Sequence, residues 1–215
     1  MTTKIAIIGS GQVAQALAAG FLKHGYHVMV GSRTPGKLSE WKAKASPKAF
    51  LGTHAETASF GNIVVIAVKG STAEQTVKQI SKQLAGKTVI DVTNPIADLP
   101  PEKGVLRFFT SLDESLMERL QRIAPAARFV KAFNSIGNAF MVNPDFGSTI
   151  PTMFIAGDDA DAKKEVAKIL EQFGWEVADM GGKEAARAIE PLCMLWCIPG
   201  ILHNDWAHAF KFLKK

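Results

Sequence analysis

Tyrosine is nearly absent: Tyr26 stands alone in 215 residues, and aromatic residues together make up only 8 %. A protein that grips nucleic acid stacks bases on aromatic platforms set among clustered lysines and arginines. Here the 25 basic residues are scattered and the net charge is only +5. The basic excess therefore reads as a solvated surface, and no nucleic-acid partner is expected. Cysteine is equally scarce. Cys193 and Cys197 lie four apart in an apolar stretch, on one face if helical, with only His203 downstream. A structural zinc site takes four such ligands. The pair reads instead as core thiols in a reducing compartment, with no metal. No run reaches the roughly 18 uninterrupted apolar residues of a membrane-spanning helix. The first apolar stretch stops at Gly9, short of the roughly 7–15 apolar residues of a secretory signal. A cytoplasmic protein without a membrane partner is expected.

What remains is an ordinary globular composition, 47 % apolar and 21 % charged. The pattern alternates throughout. Short β-branched runs at 4–8, 27–30, 49–51, 62–68, 88–92, 128–132, 152–156 and 176–179 read as strands. Between them, helical periods cover 12–24, 35–45, 53–60, 71–84, 112–123 and 159–173. After residue 181 the strand pattern ends; helices are expected over 185–195 and 201–213, broken at Pro199-Gly200. Such alternation predicts a Rossmann-type, doubly wound α/β fold with a mostly parallel sheet over residues 1–180. Residues 181–215 would add a small helical extension.

Gly9-Ser10-Gly11-Gln12-Val13-Ala14 is a GxGxxA loop between the first strand and the first helix. Gly9 allows the tight turn, Gly11 lets the backbone approach a pyrophosphate, and Ala14 lets helix and strand pack closely. The helix N-terminus then offers free N–H groups to phosphate. Alone such a motif is weak; the strand before it and the helix and second strand after it make it a dinucleotide site. The end of the second strand selects the cofactor. An NAD site usually carries a carboxylate there for the ribose 2′-hydroxyl. This chain has Gly31-Ser32-Arg33-Thr34, then Lys37, and no carboxylate before Glu40. Arg33 can fork two hydrogen bonds onto a 2′-phosphate, with Ser32 and Thr34 hydroxyls and the Lys37 charge beside it. NADP(H) is expected over NAD(H), by at least about tenfold in affinity.

Ligands in such sheets lie beyond the carboxyl ends of the strands. Three segments should meet there: Val68-Lys69-Gly70-Ser71, Asp91-Val92-Thr93-Asn94-Pro95 and Ala132-Phe133-Asn134-Ser135-Ile136-Gly137. Their small and amide-bearing residues can border a nicotinamide ring, Asn94 and Asn134 as hydrogen-bond partners. Asn94 before proline also reads as a turn residue, and Lys69 reads either as an anion contact or as a solvated side chain. No Ser-Tyr-x-x-x-Lys arrangement occurs, and no side chain stands out as a general acid. That suits direct hydride transfer between stacked redox rings, which needs none.

The segments KIAIIGSGQVAQALA, VMVGSRTPGK, IVVIAVKG, VIDVTNP, VKAFNSIG, MFIAGDDADAK and EPLCMLW, in that order, resemble the NADPH:coenzyme F-420 oxidoreductase family along nearly the whole chain. More weakly the chain resembles the cytosolic domain of membrane metalloreductases. The resemblance implies cofactor contacts at Ser10, Gly11, Gln12, Val13, Ser32, Arg33, Lys37 and around Val68-Lys69. It also implies coenzyme F-420 or a flavin-like molecule as hydride acceptor, held between the loop after the sixth strand and the C-terminal helices. Homodimerisation through the C-terminal region is implied as well. Founding members of the family differ in two places: a more glycine-rich first loop, and a His-Thr-Ile-Pro-like segment where this chain has residues 132–136. Two other readings stand beside this one: an NADPH-dependent reductase of small carbonyls or imines, and a non-enzymatic NADP(H) sensor.

Overall fold

In the computed structural model, which describes residues 3–215, strand β1 (Lys4–Ile8) feeds two cores at once. Ile5 and Ile7 enter one hydrophobic cluster, Ala6 and Ile8 the other. In β4 (Ile63–Ile66), Ile63 and Val65 likewise part from Val64 and Ile66. Successive strand residues point to opposite faces, so a strand apolar at every position requires a sheet covered on both sides. Together with β2 (His27–Gly31), β3 (Ala49–Gly52), β5 (Thr88–Asp91) and β6 (Arg128–Lys131), these strands form a sheet in the order β3-β2-β1-β4-β5-β6. All five pairings are parallel.

Helix α1 (Gln12–Lys23) buries Leu17 and Phe21 on the first face, and α6 (Ala160–Gln172) buries Val166 and Leu170 there. Helices α3 (His54–Phe60), α4 (Gly70–Leu84) and α5 (Leu116–Ile123) cover the second. A short 3-10 turn at Pro35–Leu38 leads into α2 (Ser39–Lys44), where one longer helix was expected. The strand order reverses at the β1–β4 pair, the switch point at which ligands bind in folds of this kind.

Three further segments depart from the sequence expectation. The strands β7 (Thr152–Ile155) and β8 (Glu176–Asp179) pair with each other, not within the large sheet. Their link to it is one antiparallel bridge between Lys131 and Ala156. Helix α5 starts at Leu116, later than residue 112, because Ser115 caps it: its hydroxyl accepts from the Glu118 N–H while the Glu118 carboxylate accepts from the Ser115 N–H.

The third departure is the C-terminus. After α7 (Ala186–Ile189), helix α8 (Leu192–His203) runs straight through Pro199. Proline removes the hydrogen bond to the carbonyl four residues back, here that of Leu195. Leu195 is 55 % exposed, and the helix continues past the missing bond to His203. Asn204, left-handed at φ 56°, ends the helix. No helix follows. The tail runs along β7 instead, with the Thr152 N–H donating to Phe210 O (2.9 Å) and the Phe212 N–H to Thr152 Oγ1 (3.1 Å). The 21 residues Lys183–His203, which run from a short 3-10 turn through α7 to the end of α8, contain an 18-residue window of mean hydropathy 1.4, enough by length and composition alone to cross a membrane. Within it Glu190 is buried in ion pairing and Trp196 packs into the core.

Arg187 of α7 clamps Glu118 of α5 bidentately, Nη2 to Oε1 at 2.6 Å and Nε to Oε2 at 3.0 Å. That hydrogen bond, set against burial and assisted by the Ser115 contacts, pulls the Glu118 carboxyl from 4.5 down to about 2. A depressed carboxyl adds stability that is full above the unfolded value and fades as pH falls towards the folded one. Urea midpoints should therefore drop between about pH 4.5 and about pH 2, and Glu118→Gln should flatten that drop. An equal pH slope in both proteins would count against the clamp.

Candidate functional site: the cleft above the first strand

Gly9 leaves β1 at φ +128°, a region closed to side chains, and a Cβ there would lie 2.2 Å from Ala67 O. Its N–H donates to Gly31 O at 2.9 Å, so the turn is pinned between β2 and the end of β4. Gly11 differs in kind. A Cβ built on it meets nothing within 4 Å, so the fold does not need a glycine there. The open space suits a diphosphate lying against bare backbone. Gln15 reaches back from α1 to donate from Nε2 to Ser10 O at 3.0 Å, holding the loop in place. The N-terminus of α1 has neither a side-chain cap nor an acidic residue in its first turn. Its N–H groups and positive dipole end face the loop unopposed.

A cleft of about 410 Å³ opens above this loop. One wall is Gly9, Ser10 and Gly11; a second is Ser32, Arg33, Thr34 and Lys37; a third is Ala67, Val68 and Lys69. Ser32 is buried, its N–H donating to Gly52 O (3.0 Å) and its Oγ accepting from the Thr34 N–H (3.1 Å). Arg33 and Lys37 are exposed, and among the described residues neither has an ion-pair partner within 4 Å. Among the described residues no carboxylate lines the cleft. Lys69 stands at its edge, exposed and paired with Asp98.

Five expected contact residues lie outside this lining. Gln12 and Val13 sit on the first turn of α1 but do not border the cleft. Ala132 is a correction: it is fully buried within the first core cluster and presents no surface to a ligand. Asn94 and Asn134 bind each other. Asn94 Nδ2 donates to Asn134 O (2.8 Å), and Asn134 Nδ2 donates to Asn94 Oδ1 (3.3 Å) and to Ile189 O (2.8 Å). They brace two loops against α7 and leave few donors free for a nicotinamide.

The cleft also contains residues that the sequence reading missed: His54 at the start of α3, and Thr72, Gln75, Thr76 and Gln79 of α4. The α4 set has the spacing of one helical face. It runs beside the buried stripe Ala73, Val77, Ile80 and Leu84. A search for apolar periodicity finds that stripe and passes over its polar neighbour.

Below the cleft, where β5 and β6 end, lies a fully buried ionic cluster. Lys131 Nζ is 2.7 Å from Asp91 Oδ2 and 2.8 Å from Glu190 Oε1, and donates to Thr93 O at 2.8 Å. Burial alone would lower the Lys131 pKa; the two carboxylates outweigh it and hold the ammonium above its usual value. Glu190 also accepts the N–H groups of Leu116 and Met117 at the start of α5. Behind the loop after β6, Gly137 lies flat on Trp196, a Cβ there coming 2.8 Å from the ring. Little room remains between that loop and α8. The open groove on this side, about 520 Å³, lies instead between residues 105–112 and the segment from Arg187 to Met194.

The fold and the loop geometry together define a class, the Rossmann-type α/β proteins. The comparisons then narrow it. Residues 4–95 match the family described as NADP oxidoreductase coenzyme F420-dependent. The F420-dependent NADP reductase of Methanocaldococcus jannaschii is 27 % identical over 203 residues, covering 89 % of this chain and 90 % of that protein. Metalloreductase STEAP3 of Rattus norvegicus is 32 % identical over 204 residues, 93 % of this chain but only 39 % of that protein. The chain thus spans about two-fifths of the curated metalloreductases it matches. Among solved structures, a candidate F420-dependent NADP-reductase from Arthrobacter sp. FB24 superimposes with a TM-score of 0.91 at 28 % identity, covering 99 % of this chain and 100 % of that one. The family match over residues 4–95 and the similarity to F420-dependent NADP reductases agree with the sequence resemblance.

The two loop glycines should part company when substituted. Gly9→Ala combines a forbidden φ with a backbone clash and should cost at least about 2 kcal/mol of unfolding free energy. Gly11→Ala should stay within about 1 kcal/mol of the parent. Thermal and urea unfolding of both variants test this; equal losses would show that the cradle is a packing feature only.

Proposed function

We propose that the chain is an NADPH-dependent oxidoreductase that passes hydride between NADP(H) and a deazaflavin, coenzyme F-420, or a flavin-like acceptor. The observation that carries the cofactor half is the paired cations Arg33 and Lys37 in a cleft without a carboxylate. A 2′-phosphate would meet two opposite charges there, with Ser32 and Thr34 at hand, and nothing to repel it. Bound NADPH supplies the hydride. The protein's own share is to cradle the diphosphate on Gly9, Ser10 and Gly11, orient the adenosine end through Arg33, and brace the loops at the reacting end through Asn94 and Asn134. Residues 1–180 are proposed as the NADP(H) half and 181–215 as the acceptor and dimer half, in a cytoplasmic protein. The F420-dependent NADP reductases similar over nine-tenths of their length support the acceptor named.

A second reading has one observation in its favour. The NADPH-dependent reductive aminase of Aspergillus oryzae is 31 % identical over 97 residues, 44 % of this chain. Reduction of an imine or small carbonyl would use the same cofactor half. NADPH oxidation measured against coenzyme F-420, FMN, FAD and a panel of carbonyls and imines separates the readings. Turnover confined to carbonyls or imines would overturn the first, and tight NADPH binding with no turnover on any acceptor would point to a sensor.

Replacing Arg33 by alanine should weaken NADP⁺ binding at least about tenfold, about 1.4 kcal/mol, while leaving NAD⁺ binding within about twofold. Fluorescence titration with both dinucleotides reads the difference; equal losses for the two would end the 2′-phosphate assignment. The apolar face of α8, with Leu195 55 % and Leu202 50 % exposed, is proposed to meet a second copy. Sedimentation should find a dimer that Leu195→Asp with Leu202→Asp converts to a monomer, and a monomeric parent would overturn this.

A further inference from the structure

We infer, resting on the NADP(H) reading above, that His54 is a specificity residue for the 2′-phosphate and that its protonation couples cofactor affinity to pH. His54 opens α3 directly after the capping residue Thr53. Its half-buried ring lines the same cleft as Arg33, Thr34 and Lys37, and among the described residues it makes no hydrogen bond or ion pair. A dianionic phosphate held by Arg33 would therefore have an unengaged imidazole at the wall of its site.

The charges around the ring decide the direction of the effect. From the segment after β2 come Arg33 and Lys37, and from the segment after β4 comes Lys69, which is paired with Asp98. Helix α4, packed against α3, turns only Thr72, Gln75, Thr76 and Gln79 into the cleft. Strands β1, β2 and β3 contribute no further titratable side chain to it. On α3 itself, Glu56 is occupied by the Thr53 N–H and hydroxyl. In the free protein burial, and then the neighbouring Arg33, lower the His54 pKa, so the ring is neutral near pH 7. A bound phosphate reverses the local field and favours the imidazolium. Binding then takes up a proton at His54, and affinity rises as pH falls through the interval between the lowered free value and the raised bound one.

Two titrating groups act in this range, because a phosphomonoester has its own second pKa near 6. The phosphate is the same in every protein, so the comparison between variants isolates the histidine. NADP⁺ and NAD⁺ are titrated between about pH 6.5 and about pH 8.5 into the parent and His54→Gln, by fluorescence and by calorimetry in buffers of different ionisation enthalpy. In the parent, NADP⁺ should bind about threefold more tightly at the lower pH, with proton uptake, as expected for a pKa shift of about one unit that starts from a value below the titrated range. NAD⁺ should show neither effect. In His54→Gln the NADP⁺ slope should shrink below about twofold while a preference for NADP⁺ remains through Arg33. As a check independent of the variant, the His54 ring resonance in the parent should titrate at higher pH with NADP⁺ than without it. A slope that persists in His54→Gln, or an unmoved resonance, overturns the role of His54 and leaves the cofactor reading standing. A parent that binds both dinucleotides alike overturns the cofactor reading and the role of His54 with it.

Discussion

Lys131 carries a full charge into the interior, where its side chain is fully buried, and the positions of the segments around it follow from how that charge is met. Asp91 comes from β5, Glu190 from the turn between α7 and α8, and the Thr93 carbonyl from the loop leading to Asn94. Two carboxylates against one ammonium leave a surplus negative charge. Glu190 spreads it onto two backbone N–H groups of α5, and Asp91 Oδ1 accepts from the Thr93 N–H and hydroxyl. A buried pair of this sort adds little net stability against a well-packed apolar alternative, but breaking it by removing one partner costs about 3–5 kcal/mol. Its value here is placement. The cluster ties the ends of β5 and β6 to the start of α5 and to the turn before α8.

That placement divides the molecule into a half that receives phosphates and a half that closes over the strand ends. The receiving half depends on backbone: a glycine that cannot be replaced, a second whose side is open, and a helix start without a cap. Its proposed selectivity rests on side chains displayed on a loop after β2, where the chain is exposed and Arg33 and Lys37 have no ion-pair partner among the described residues. The closing half depends on side-chain amides and ions whose donors are already engaged with one another and with backbone carbonyls. Arg33 and Lys37 stand ready for a ligand, whereas Asn94 and Asn134 are spent on structure.

Much of this was legible in the sequence for a simple reason. Strands apolar at every position, separated by helical periods, admit few topologies once crossovers are right-handed. The phosphate loop and the Ser32–Lys37 segment were readable because their function lies in residue type at fixed spacing. What escaped was determined by contacts between distant segments. Ala132 looked like a loop residue at a strand end, but the bridge from Lys131 to Ala156 draws it into the core. Trp206, Phe210 and Leu213 have helical spacing, yet Asn204 turns the chain away and the tail finds its partners on β7. His54 carries no motif at all; only the packing of α3 against β1 and α4 brings it to the cleft wall.

The tail has one more property. Trp196 donates from its indole N–H to His208 O at 2.8 Å, and His208 Nε2 meets Trp196 O at the same distance. Two residues further on, Phe210 is hydrogen-bonded to β7. The rod of α8 is thereby buckled to the small sheet by a strap only a few residues long. Helix α8 is held to the edge of the small sheet by hydrogen bonds to main-chain carbonyls at both ends of the strap.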